Sequence, residues 1–282
     1  MKKLIPFLLG RVLNLLSWIA PGYAGKIGFR FFCLPFRSKL QPYHNKFLNT
    51  AVKSTLDHNG LAIQVYKWGN GKTKILFLHG WQSHTFRWKN YIESFSTDEY
   101  SCYAIDAPGH GLSQGSFLTA PLYSEVIEKV IHREEGFDSI VAHSLGAFTT
   151  LYTLYRLPLL PVKKLVLLAP PGDATEFTQF YQQSLNLTEK TMNLIRAHFE
   201  AVIGEQVGFF NAAKFAGSAT QTGLIIHDEE DEDTHIENSR AIHKAWPKSK
   251  LHITRGLGHN LKSPAIVEEV VSFVKDPALM EV

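Results

Sequence analysis

Cysteine is nearly absent: Cys33 and Cys102 are the only two in 282 residues, which excludes a disulfide framework. Cys102 lies in an apolar, strand-like run, where a buried and unreactive thiol is expected. A surplus of charge is missing too, since 29 basic and 26 acidic side chains leave a formal net charge of +3. No Lys/Arg run with interleaved aromatics occurs, so nucleic acid is not an expected partner. Internal repeats and low-complexity tracts are also lacking, which excludes stacked-repeat architectures. What is present is ordinary globular material, 45% hydrophobic and 20% charged, enough for one large core without staples.

No apolar run reaches the ~20 residues that a membrane-spanning helix needs. Lys2 and Lys3 precede Leu4 to Leu9, and Arg11 separates these from a second apolar stretch, Val12 to Ala20. Pro6, Arg11 and Asn14 argue against a span, and the interrupted core argues against a secretory signal cleaved around Ala20 to Gly25. The expectation is a retained amphipathic helix in residues 1–20, docked on the domain or lying on a membrane surface as a peripheral contact. Residues 1–49 are read as a helical extension of a cytoplasmic protein, with secretion as the alternative.

From residue 50 the pattern becomes regular. Thr50 to Asp57 and Leu61 to Trp68 read as strands joined by the hairpin turn Asn59-Gly60. Short runs rich in Val, Ile and Leu follow at Lys74 to Leu78, Ser101 to Ile105, Ser139 to Ala142, Lys164 to Ala169, Gly223 to His227 and Lys250 to Thr254. Such runs suit strands buried on both faces of a parallel sheet. Helical patterns alternate with them at Phe86 to Phe95, Tyr123 to Arg133, Leu145 to Leu157, His235 to Ala245 and Pro264 to Val274. The fold class is therefore α/β, a doubly wound, mostly parallel sheet of about eight strands with an antiparallel edge, spanning residues 50–282.

One connection is too long. About fifty residues separate Ala169 from Gly223, far more than a normal strand-to-helix connection plus one helix. Pro170-Pro171-Gly172 opens the segment, Asn186 and Glu189 match a capping box, and Met192, Ile195, Phe199 and Val202 repeat at helical spacing. Residues 171–219 are read as a helical cap or lid inserted over the sheet. The same apolar positions would serve equally to glue the insert to the core.

Ligands of open α/β sheets bind beyond the carboxyl ends of the strands. There, Ala142-His143-Ser144-Leu145-Gly146 sits directly between a strand and a helix. A serine on so sharp a turn is held out from the backbone, its neighbours must be small, and the helix N-terminus favours developing negative charge. Ser144 is the expected nucleophile. The alternative is a helix-capping serine. The run Asp228-Glu229-Glu230-Asp231-Glu232-Asp233, bounded by His227 and His235, offers six carboxylates after a strand. By residue type alone it could be a solvated loop, a weak metal site or the source of an orienting acid.

Together these motifs resemble the α/β-hydrolase superfamily of serine esterases, lipases and relatives, from about residue 50 onward. Leu78-His79-Gly80-Trp81 resembles its oxyanion loop, and Asp106-Ala107-Pro108-Gly109-His110-Gly111-Leu112-Ser113 resembles its D-x-P-G-H-G-x-S turn across eight positions. Ala142 departs from the family's glycine. The resemblance implies a chain order of nucleophile, acid, base, which makes His259, in Gly256-Leu257-Gly258-His259-Asn260, the base. His79, His110 and His143 are expected to be structural. The family's acid stands three residues after a strand-end glycine whose place Asp228 takes, which implies Asp231. The backbone N–H groups of Trp81 and Leu145 would form the oxyanion hole.

The implied function is a serine hydrolase cleaving a carboxylic ester or thioester of a small, apolar substrate through an acyl-enzyme, with no metal and no organic cofactor. Two alternatives stand beside it. One is a non-catalytic ligand-binding protein of the same fold, and the other a C–C or amide-bond hydrolase with the same triad. Neither the particular substrate nor the oligomeric state is readable from the sequence.

Overall fold

The structure, a computed structural model, describes residues 4–276. Eight strands form one sheet: β1 (Val52–His58), β2 (Leu61–Trp68), β3 (Thr73–Leu78), β4 (Tyr100–Ile105), β5 (Phe137–His143), β6 (Val162–Leu168), β7 (Thr222–Asp228) and β8 (Ser249–Thr254). Their order is β1-β2-β4-β3-β5-β6-β7-β8, and β2 runs antiparallel to both of its neighbours while all other pairs are parallel. Asn59 and Gly60 both take positive φ (52° and 80°), as the tight hairpin turn between β1 and β2 requires. β5 and β7 are buried almost throughout, as continuous apolar runs predict, whereas the edge strand β1 exposes Lys53, Ser54, Thr55 and Asp57.

The helices are α1 (Leu4–Ile19), α2 (Pro21–Phe32), α3 (Pro42–Leu48), α4 (Lys89–Ile92), α5 (Ala120–Arg133), α6 (Leu145–Arg156), α7 (Ala174–Leu185), α8 (Glu189–Ile203), α9 (Ala212–Ala216), α10 (Ile236–Ala245) and α11 (Pro264–Lys275). The helix expected over Phe86 to Phe95 is instead a 3₁₀ turn, Thr85–Trp88, followed by the single turn of α4. α5 starts three residues earlier than its apolar period suggested. Thr119 caps it by accepting from the Leu122 N–H, and Pro121 in the first turn lacks only a donor that would have no helical partner.

Lys164, the charged residue inside β6, is fully buried. Its Nζ donates to the carbonyls of Phe273, Val274 and Asp276, replacing donors that the end of α11 lacks. The sheet's core carries Tyr66, Ile75, Phe77, Trp88, Val141, Val166, Leu224 and Ile226 together with Val270 and Val274 of α11. Both cysteines are buried, and burial pushes the Cys102 thiol up to about 12.

The chain divides into two compact units. One joins the chain up to Leu34 with Asp173–Asn211, and the other joins Pro35–Gly172 with the chain from Ala212 onward. The sequence reading bounded the extension at residue 49 and the insert at 171–219. In the structure the first two helices and the inserted helices α7 and α8 build one body, while α3 stays with the sheet and places Phe47 and Leu48 in its core. Close approach explains the partnership, because Gly25 faces the Leu194 carbonyl so closely that a Cβ would sit 2.5 Å from it. Phe29 packs edge-on against Phe199, which does the same against Phe210.

Met192, Ile195 and Phe199 form the buried stripe of α8, but Val202 is exposed. The expected capping box at Asn186 is corrected. Asn186 closes α7 in the left-handed region (φ 51°, ψ 50°), which Asn tolerates better than most side chains, and Thr188 caps α8.

Asn14 ties α1 to that junction. Its Oδ1 accepts from the Thr188 N–H (2.9 Å) and the Thr191 hydroxyl (2.8 Å), and its Nδ2 donates to the Asn186 carbonyl (3.0 Å). Asn14→Ala is expected to cost about 1 kcal/mol, mainly by leaving the buried Thr191 hydroxyl without this acceptor, since water reaches Asn186 and Thr188. Denaturant melts, with faster hydrogen exchange confined to α1 and α8, check it.

Candidate active site

Ser144 stands between β5 and α6 at φ 52°, ψ −123°. A side chain at positive φ is uncommon and costs on the order of 1–3 kcal/mol unless neighbours compel it. They do here. The Ser144 N–H donates to the Leu168 carbonyl (2.9 Å), and its own carbonyl accepts from the Phe148 N–H (3.0 Å). Gly146 faces β3 so closely that a Cβ would lie 2.6 Å from the Leu78 carbonyl and 2.7 Å from that of His79. Ala142, the departure from the family pattern, is fully buried in β5 opposite Leu78 and Leu167.

The loop after β3 meets the turn directly. A Cβ on Gly80 would lie 2.8 Å from Ser144 Cβ. Two buried histidines pin this loop on either side of Trp81. His79 donates from Nδ1 to the Gly80 carbonyl (2.7 Å) and accepts the Ala107 N–H at Nε2 (3.0 Å). His110 accepts the Gln82 N–H at Nε2 (3.0 Å) and donates from Nδ1 to the Pro108 carbonyl. Burial pushes the pKa of both rings down to about 3, so each keeps one donor and one acceptor at neutral pH. Among the described residues, neither the Trp81 nor the Leu145 N–H donates to a protein acceptor.

His259 lies on the loop between β8 and α11, half-buried. Its Nδ1 is 2.8 Å from Asp231 Oδ2. Asp231 is buried, and its other partners are donors: the N–H groups of Asp233 (2.8 Å) and Thr234 (3.0 Å), the Thr234 hydroxyl (2.9 Å) and His227 Nε2 (3.3 Å). Burial pushes this carboxyl up, but the bonds from His227, His259 and the Thr234 N–H outweigh it and hold it well below the usual carboxylate range. An ionised Asp231 only accepts, so His259 carries its hydrogen on Nδ1 and offers a lone pair at Nε2.

The sequence reading gave Asp228 only the place of a strand-end glycine, and the structure gives its side chain a definite task. Asp228 is fully buried and accepts from Thr254 Oγ1 (2.7 Å) and the Leu257 N–H (2.9 Å). His143, beside Ser144, donates from Nε2 to the His259 carbonyl (2.8 Å), and its ring lies 4.8 Å from the His259 ring. Arg87 Nη2 holds the Asn260 carbonyl (3.1 Å). The loop carrying His259 is thus fixed at three backbone points by residues to which the sequence reading gave no part in holding it.

Asp231, Asp233 and His259 offer ligand atoms within 4.8 Å of one another. Both Asp231 oxygens already face N–H and O–H donors, which a cation would have to displace, so this cluster is a hydrogen-bonded array rather than a metal cradle. His227, the metal alternative raised by the acidic run, is fully buried and bonded to Ser239 and Thr234. An open groove of about 510 Å³ walled by Phe47, Trp68, Phe86, Phe95 and Tyr100 lies at the opposite end of the strands, where β4 begins, and takes no part in this constellation.

A mostly parallel eight-stranded sheet with a strained serine elbow after β5 defines an α/β-hydrolase. The chain belongs to the serine aminopeptidase, S33 family, whose model matches residues 69–246. It is 31% identical over 164 residues, 58% of its length, to a pimeloyl-[acyl-carrier protein] methyl ester esterase of Nitrosomonas europaea, and spans 62% of that protein. A proline iminopeptidase of Xylella fastidiosa is 39% identical over 49 residues, 17% of this chain and 16% of that one. Among solved structures, Est1E from Butyrivibrio proteoclasticus, with ferulic acid bound, is 19% identical with a TM-score of 0.60, covering 79% of this chain and 96% of that one. A bromoperoxidase from Bacillus anthracis is 15% identical with a TM-score of 0.62, covering 80% and 100%. At these identities the two structures share the fold, which hosts more than one chemistry.

Two measurements test the geometry. Relief of the positive φ should make Ser144→Gly about 1 kcal/mol more stable than Ser144→Ala in denaturant melts. Asp231 contributes stability through its lowered pKa. That contribution is present above the unfolded value of about 3.9 and is lost as pH falls through the folded value. The melting-temperature gap between the wild type and Asp231→Asn should therefore be widest near neutrality and narrow below about pH 4.

Proposed function

We propose that the chain is a serine hydrolase of carboxylic esters or thioesters working through an acyl-enzyme on Ser144. The observation that carries this reading is the short bond from His259 Nδ1 to a buried Asp231 whose remaining partners are all donors. That arrangement fixes the tautomer in which Nε2 accepts a proton. In the proposed reaction His259 takes the Ser144 hydroxyl proton as Oγ attacks the substrate carbonyl, and the N–H groups of Trp81 and Leu145 stabilise the oxyanion. Collapse expels the alcohol or thiol, which leaves with the proton from His259. Water, deprotonated by the same imidazole, then releases the acid and frees Ser144.

The esterase similarity and the elbow support this reading. The second reading, removal of an N-terminal residue from a peptide, is favoured by the S33 family description and by the short proline iminopeptidase match. Turnover of a p-nitrophenyl ester series against proline p-nitroanilide separates the two.

A fluorophosphonate probe should label the wild type at Ser144. Ser144→Ala should lose both labelling and turnover, and labelling that survives in the folded variant overturns the mechanism. Asp231→Asn is expected to lower kcat by roughly 10⁴, as loss of an orienting acid does elsewhere. Asp228→Asn, which slackens the loop but leaves the base its acid, should cost about tenfold. Near-normal turnover in Asp231→Asn with an inactive Asp228→Asn would reassign the acid.

A further inference from the structure

We infer that the outward face of α1 is a docking surface for an anionic lipid membrane, on which the protein lies without crossing it. The inference rests on how apolar and charged groups are distributed along the first two helices, and it is independent of the chemistry proposed for Ser144.

α1 has two unlike faces. Gly10, Leu13 and Ser17 are buried within the helical unit, and Leu13 and Ser17 are wholly inaccessible. On the other face Leu8, Val12, Leu15, Trp18 and Ile19 are between 52% and 73% exposed. Their spacing puts them on one stripe of a helix about 24 Å long at 1.5 Å per residue. So large and contiguous an apolar face is unusual on a surface meant for water. Among the described residues no helix is long and apolar enough to cross a membrane, so the stripe fits an in-plane orientation.

Charge identifies the occupant. The first carboxylate of the chain is Asp57, and nine basic residues precede it, whereas the remainder carries 20 basic and 26 acidic side chains. Within the helical unit the carboxylates Asp173, Glu176, Glu189, Glu200 and Glu205 all stand on the inserted segment, none on α1 or α2. Arg11, Lys26 and Arg30 are exposed on those two helices. Two cations lie against exposed aromatics of the stripe: Arg11 is 4.7 Å from the Phe7 ring centroid, and Lys190 is 3.3 Å from that of Trp18. An apolar stripe with an aromatic ring and cations beside it, where the neighbouring carboxylate Glu189 is already paired with Arg196 (2.6 Å), complements a surface of anionic headgroups over acyl chains. A second protein chain would need shape complementarity and an acidic face of its own, because the charges on α1 and α2 are all basic.

Vesicle flotation of the purified full chain tests the inference, using phosphatidylcholine vesicles with and without phosphatidylglycerol. Wild type should float with the phosphatidylglycerol vesicles, bind them about tenfold or more tighter than phosphatidylcholine alone, and detach in high salt. Leu15→Glu combined with Ile19→Glu should weaken binding at least about tenfold while keeping the wild-type melting temperature and turnover of a soluble ester. Arg11→Glu with Lys26→Glu should reduce capture by the anionic vesicles alone. Failure of the wild type to float, equal capture by both vesicle types, or equal capture of the Leu15/Ile19 variant overturns the inference. So does a wild-type dimer that the same variant dissolves in the absence of vesicle binding, which would make a second copy the occupant.

Discussion

A serine at φ 52°, ψ −123° persists only where its surroundings over-determine it, and at Ser144 three separate contacts do so. The backbone is bonded before the turn to Leu168 of β6 and after it to Phe148 of α6. Between them Gly146 touches the carbonyls that end β3, so α6 can begin nowhere else. The turn therefore depends on β3, β5 and β6 lying side by side in register, three central strands whose carboxyl halves are buried throughout. Strain at one residue is sustained by the buried ends of three central strands, and the half-buried side chain at the top of the sheet is the result.

The same economy governs the other groups around the elbow. Each sits on a loop, and each loop is fixed by polar side chains, all but Arg87 buried, that act on backbone atoms. His79 and His110 hold Gly80 and Gln82, and Asp228, His143 and Arg87 hold Leu257, His259 and Asn260. Burial keeps His79 and His110 uncharged at neutral pH, so the loop they hold does not change shape with modest acidification. Asp231 is the contrasting case. It is buried and yet kept ionised, because enough donors converge on it to repay its desolvation. Neutral rings serve as struts on the loop after β3, and the Asp231 carboxylate stands beside the ring that is proposed to gain a proton.

Local pattern reveals the parts of this structure that local pattern dictates. Continuous apolar runs marked the buried strands, Asn59-Gly60 marked the hairpin, and small residues around Ser144 marked the elbow. The helix over Phe86 to Phe95 was not legible, because aromatic spacing there reports burial in the core by Trp88, Tyr91 and Phe95 whether the backbone is helical or 3₁₀. Asn186 was misread as a start signal because Asn serves both helix ends, and only its left-handed φ separates the two uses. The partnership of α1 and α2 with α7 and α8 joins segments some 150 residues apart through glycine contacts that leave no periodic trace. The supporting roles of Asp228, His143 and Arg87 are equally invisible, since each reaches a main-chain atom of the His259 loop that any residue there would present.

The fold alone does not decide the chemistry, since Est1E and a bromoperoxidase share it with this chain. The residue at the elbow does more. A carboxylate there would be nucleophilic as it stands, whereas a serine hydroxyl is a weak nucleophile at neutral pH until a base removes its proton. A serine elbow therefore makes a chemical demand on the rest of the chain: an imidazole in a defined tautomer, with a buried anion to stabilise it once protonated. In the proposed mechanism the loop from Asp228 to Thr234 supplies that anion with its other lone pairs already satisfied, so the carboxylate would neither capture the proton nor turn away from the ring. A structural ion pair has no need of such completeness, because a partly solvated carboxylate would hold a histidine equally well. The donors gathered on Asp231, more than the mere presence of Ser144 and His259, are what make acyl transfer the reading best supported for this site.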